Sequence, residues 1–211
     1  MLRPIAFLIA VYATVMPAAA APSFDCTKAK SAAEREVCEV PDLQWTDRQL
    51  ARLYKLALAQ SGNARASVVD SQRAFLVRRD ACANDIGCLD LAYKAQLKAL
   101  APRVNVYEAF GEYEPQGMGG SMRIVRFGYD AAISILTVGG GDHTCTFETD
   151  SAPLGGKGVI RYAENGTNAC RMTVAPDGDD VMVVQTKNCS DYCGMRALLD
   201  GRYRRLAATR N

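Results

Sequence analysis

The sequence predicts an α+β protein: an N-terminal, disulfide-stapled all-α helical hairpin domain followed by a small antiparallel β-barrel or sandwich. Apolar residues recur at helical spacing over residues 31–100 and at a period of two after Pro102. The second part is punctuated by Gly-rich turns, and the eight cysteines divide evenly between the two parts. The expected boundaries are a cleaved leader over 1–20, a helical domain over 21–101 and a β-rich domain over 102–211.

The leader is read from a short basic start, Met1-Leu2-Arg3-Pro4, an apolar run over 5–16 and small residues at 17–21. Ala18 and Ala20 occupy the two small positions of a signal-peptidase site, which places the cut after Ala20. The run is shorter than the roughly 20 residues that span a bilayer, and no lipid-attachment motif precedes Cys26. A periplasmic or secreted protein without a membrane span is expected. In an oxidising compartment an even set of cysteines is a disulfide framework.

In the helical part, Ser31 with Glu34 fits a capping box that opens the first helix. Asp42 is the expected cap of a second helix, whose stripe is Leu43, Leu50, Leu53, Tyr54 and Ala57. Ser61-Gly62-Asn63 ends it. A third helix presents Val68, Gln72, Phe75, Leu76 and Arg79, and a fourth presents Leu89, Ala92, Tyr93, Leu97 and Leu100 before Pro102. Folding the chain about Gly62 brings Trp45 and Asp47 beside Arg78, Arg79 and Cys82, so Asp47 with Arg79 is a candidate structural ion pair. Two pairings stay open for the first four cysteines. One is nested, Cys38 with Cys82 and Cys26 with Cys88; the other is local, Cys26 with Cys38 and Cys82 with Cys88.

Eight strands are expected after Pro102, over 104–107, 122–127, 133–138, 144–149, 159–162, 169–174, 181–186 and 201–206. Cys145 shares a face with Phe147, and Cys170 with Met172 and Val174, so both point inward and a Cys145 to Cys170 bridge is expected. Cys189 and Cys193 then close a local loop.

Composition narrows the function. A formal net charge of +2 is too small for a nucleic-acid footprint. The single histidine, His143, follows a Gly-Gly-Gly-Asp hairpin turn, and no C-x-x-C knuckle is present, so no metal or other cofactor is expected. No nucleophile with a base is visible, and the chain is read as a binding protein, not an enzyme. Residues 101–200 hold 8 Lys+Arg against 13 Asp+Glu, an acidic balance that either is solvated or attracts a basic partner protein.

The helical part also resembles a known family. Phe24-Asp25-Cys26, Ala29, Glu34, Val37-Cys38, Pro41, Leu43, Asp47, Leu50 and Tyr54 are similar to the opening of the lysozyme-inhibitor LprI-type N-terminal domain. Gln72-Arg73, Phe75-Leu76, Arg79-Asp80, Cys82, Cys88-Leu89 and Tyr93 are similar to its closing motif. Over residues of about 24–100 the resemblance implies a small, disulfide-stapled, all-helical envelope domain linked to inhibition of c-type lysozyme. The β-rich part has no such assignment.

A protein partner is therefore expected, with c-type lysozyme the named possibility and a non-inhibitory envelope assembly role the alternative. Lysozyme uses a carboxylate pair in a cleft, which an inserted loop can block through Ser, Lys or Arg donors. Two glycine-flanked segments offer such donors: Gly119-Gly120-Ser121-Met122-Arg123, with Ser121 and Arg123, and Gly155-Gly156-Lys157-Gly158, with Lys157.

Overall fold

A computed structural model describes residues 21–206 apart from residue 179. The expected leader, 1–20, lies outside the described residues.

The first helix, α1 (Ala32–Glu39), opens on the anticipated capping box: Ser31 Oγ accepts from the Glu34 amide at 3.1 Å, and the Glu34 carboxylate accepts from the Ser31 amide at 3.1 Å. The second, α2 (Pro41–Gln60), starts two residues earlier than expected. Val40 is its cap residue and Pro41, with its fixed φ, begins the first turn, so Asp42 is not the cap and its side chain serves another purpose described below. Gly62 takes a φ of +47° at the break, where a side chain is disfavoured. The hairpin then continues with α3 (Arg65–Ala81) and α4 (Ile86–Leu100), the latter capped by Asp85. Trp45, Leu50, Leu53, Phe75, Tyr93 and Leu97 form the buried centre, with Phe75 edge-on to Tyr93 at 5.1 Å. Leu76, expected inside, is 38% exposed, because the buried stripe of α3 runs through Val68, Phe75 and Arg79.

Eight antiparallel strands follow: β1 (Phe110–Pro115), β2 (Gly119–Arg126), β3 (Asp130–Val138), β4 (Thr144–Pro153), β5 (Ile160–Ala163), β6 (Arg171–Pro176), β7 (Val181–Lys187) and β8 (Gly201–Arg205). Their order in the sheet is β4-β3-β2-β1-β8-β7-β6-β5, and a single bridge, Leu154 to Ile160, joins its two edges. The result is a nearly closed barrel. The expected strand at 104–107 does not exist; the chain enters the sheet at Phe110. Gly111, Glu112, Glu114 and Pro115 hide β1 from an apolar alternation. Gly111 is needed there because the Tyr113 ring lies 2.8 Å from where a Cβ would stand. Glu112 faces α4 and not the barrel interior.

The local pairing holds in the helical part, with Cys26 bonded to Cys38 and Cys82 to Cys88. In the barrel the expected bridges are overturned: Cys145 bonds Cys193, and Cys170 bonds Cys189. The reason is topological. Cys145 is on β4, whose ladder partner is β3, and Cys170 directly precedes β6, which pairs with β5 and β7. The two cysteines are therefore not cross-strand neighbours, and each meets the segment that follows β7. Both bridges lie at one end of the barrel, with the turns β1–β2, β3–β4, β5–β6 and β7–β8. The turns β2–β3, β4–β5 and β6–β7 lie at the other end, beside the entry into β1 and the exit from β8.

The helices dock on the outer face of β1 to β4. Phe110, Val125 and Ala132 join the helical core. Around them, Arg48 meets Asp150 at 2.8 Å, Arg52 meets Asp130 at 2.7 Å, and Lys94 and Lys98 hold Glu112 at 3.1 and 2.6 Å. Trp45 Nε1 donates to the Thr149 carbonyl at 3.2 Å. The acidic balance of the second half thus has a basic partner within the same chain: these barrel acids bind the helices.

Candidate functional site

At the end of the barrel opposite the two disulfides, a cavity of about 910 Å³ opens between the three turns and the 105–108 segment. Val106, Tyr113, Leu154 and Met182 form apolar walls. Tyr107 and Tyr129 stand on the rim, 86% and 93% exposed. Aromatic residues so exposed beside a concave apolar floor are the usual makings of a contact surface.

The charged part of the mouth begins with Glu108. Its backbone takes the left-handed conformation, φ 48°, which is unfavourable for a residue with a side chain. That conformation turns its carbonyl to accept from Arg126 Nη1 at 2.7 Å, while its carboxylate contacts Arg205 Nη1 and lies 3.6 Å from Arg126 Nη1. Arg126 is 4% exposed yet lines the cavity.

Lys157 sits at the tip of the β4–β5 turn, also left-handed at φ 58°, exposed, and followed by Gly158, where a Cβ would stand 3.3 Å from Pro176. The turn is closed by the Gly155 amide donating to the Val159 carbonyl at 2.8 Å. Of the basic and hydroxyl residues singled out from sequence, Lys157 alone lies at this mouth.

Ser121 and Arg123 are not on a loop. Both belong to β2, where Gly120 (φ +125°) packs so closely on β3 that a Cβ would fall 2.0 Å from the Leu136 carbonyl oxygen. Ser121 is half-buried, and the Arg123 side chain faces the helices with 5% exposure. It binds the Asp42 carboxylate, donates to Thr46 Oγ1 at 2.8 Å, reaches Asp90 at 3.4 Å and lies over the Trp45 ring. Burial pushes its guanidinium down to about 10, with Glu148 acting against the shift, so it stays charged at neutral pH. Asp42 therefore docks the barrel.

Asp47 and Arg79 both lie in the helical core but take separate partners. Asp47 accepts from the Tyr93 hydroxyl at 2.9 Å and from the Ser23 amide at 2.7 Å, whereas Arg79 pairs with Glu34 at 3.3 Å and Asp80 at 2.7 Å. Tyr93 separates them; burial and Asp47 raise its hydroxyl well above the ordinary tyrosine value, with Arg79 opposing.

Glu108, Arg126, Tyr107 and Tyr129 carry the mouth and were not singled out by sequence. Tyr107 falls in a stretch that reads as a strand, and Tyr129 in a short Gly-Tyr-Asp turn whose aromatic ring is the one local hint.

The chain is similar to lipoprotein LprI. It is 34% identical over 82 residues to the lipoproteins LprI of Mycobacterium bovis and Mycobacterium tuberculosis, covering 37% of this chain and 41% of each relative. It thus spans less than half the length of the curated relatives it matches, and the relationship is distant. No family model matches the chain. No solved structure matches it. Among the described residues no helix is long and apolar enough to cross a membrane. All eight cysteines are bonded, as suits an extracellular or envelope protein.

Proposed function

We propose that the chain is a periplasmic or secreted protein-binding module, not an enzyme, that contacts c-type lysozyme through the open end of its barrel. The observation that carries this is the exposed Lys157 turn, flanked by two exposed tyrosines. An ammonium at the tip of a glycine turn can enter a cleft and make charge-assisted hydrogen bonds to its carboxylates. Tyr107 and Tyr129 supply apolar area around it with little conformational cost. The LprI-like similarity and the disulfide framework support the same reading.

One observation favours the alternative, a non-inhibitory envelope module. Glu112, Asp130 and Asp150 are engaged by the helices, which removes part of the acidic surface that would draw in a basic enzyme.

The test is lysis of peptidoglycan by c-type lysozyme with the oxidised chain at stoichiometric amounts. Inhibition, a complex on a sizing column, and loss of both in Lys157→Ala are expected. Undiminished lysis with no complex contradicts the lysozyme assignment and leaves the alternative.

A further inference from the structure

We infer that the open end of the barrel is also a small-molecule site for an alkyl carboxylate, with Arg126 binding the head group and Val106, Leu154 and Met182 enclosing the tail. This does not rest on lysozyme being the partner.

The first observation is the state of Arg126. Among the described residues only Nη1 of its guanidinium has a protein partner, the Glu108 carbonyl and, more distantly, the Glu108 carboxylate. No buried side-chain nitrogen or oxygen among the described residues lacks a hydrogen-bond partner. The remaining N–H groups of this deeply buried residue therefore open on the cavity it lines. A fixed guanidinium fork with free donors matches a carboxylate.

The second is the local charge. Among the described residues that line the cavity, Arg126 and Lys157 are basic and Glu108 is the one acid, shared between Arg126 and Arg205. On the facing β6–β7 turn Asp177, outside the lining, is bound by Arg202, and Asp179 and Asp180 follow it in the sequence. The third is shape. The hollow falls within the ~300–1,000 Å³ typical of ligand pockets. Next to Gly128, Gly156 and Gly178 on its rim, nothing lies within 4 Å of where a Cβ would stand, leaving the entrance wide. Its apolar walls suit a hydrocarbon chain, and burying each methylene is worth about 0.8 kcal/mol, a factor of about four in affinity.

Isothermal titration of the oxidised chain with octanoate, octanol and octylamine tests the site. Octanoate is expected to bind, with octanol and octylamine weaker by about tenfold or more. Arg126→Gln should lose the preference for octanoate. Because Arg126 also anchors Glu108 and its loss can disturb the fold, two further variants decide independently. Leu154→Trp, at a half-buried wall position, should abolish binding by filling the tail space. Glu108→Gln should tighten octanoate binding by freeing both arginines. Octanoate that gives no heat, octanol that binds equally well, or Leu154→Trp that binds like the parent overturns the proposal.

Discussion

The dock between the helices and the barrel and the open end of the barrel use the same kinds of residue and leave them in opposite states. In the dock, Arg123 is buried against two carboxylates and a threonine, and Glu112 lies between two lysines. At the mouth, Lys157 is exposed, Tyr107 and Tyr129 face solvent, and one glutamate serves two arginines. The contrast teaches that charge in this chain performs two jobs. Where it is matched it fixes the helices to the barrel, and where it is left over it lies at the mouth proposed as the contact surface.

Breaking the dock should have the largest effect on stability. Arg123→Ala empties the buried site between Asp42, Thr46, Asp90 and Trp45, leaving Asp90 only Lys94 as a cation, and is expected to cost about 3–5 kcal/mol, measured by urea unfolding. Removing Cys145 and Cys193 together acts on the barrel end opposite the mouth and should cost about 2–4 kcal/mol in the same measurement.

Glu112 and Glu148 sharpen the comparison through pH, because both lie under the helices with opposite signs. Burial alone would raise the Glu112 carboxyl, but Lys98 and Lys94 outweigh it and hold the group below the usual glutamate value of 4.5. Its contribution is therefore present above the unfolded value and is lost as pH falls through the lowered folded one. Glu112→Gln should cost about 1–2 kcal/mol at pH 7 and flatten the loss of stability on acidification. Glu148 is raised by burial, with Arg48 and Arg123 acting against it. Its effect runs the other way, favouring the fold below the unfolded value and losing that advantage as pH rises through the folded one. Glu148→Gln should leave stability at pH 7 unchanged or slightly higher, in thermal melts from pH 4 to 7. Lys157→Ala should have the smallest effect, within about 0.5 kcal/mol, because its side chain is exposed at a turn tip.

Much of this was legible in the sequence where one local signal sufficed. The Ser31 capping box, the break at Gly62 and seven of the eight strands follow from spacing and turn residues. Elsewhere partners distant in sequence decide the structure. Gly119-Gly120 and Gly155-Gly156 look alike as glycine pairs beside a basic residue. Only the ladders with β1 and β3 make the first a strand and aim Arg123 at the helices, while the β4–β5 connection leaves Lys157 at a tip. The disulfides of the barrel are not legible from alternation along a strand, because neighbourhood in the sheet determines which cysteines meet. Alternation does not reveal β1, because Glu112 within it is satisfied by α4 from another part of the chain.

The central claim is that the open end, and not the stapled end, is the binding end. Titrating lysozyme-driven peptidoglycan lysis with the parent chain, Lys157→Glu and Met195→Glu tests it directly, since Met195 is 76% exposed at the stapled end. The account predicts inhibition by the parent and by Met195→Glu, and its loss in Lys157→Glu. Inhibition that survives Lys157→Glu and disappears in Met195→Glu would contradict it.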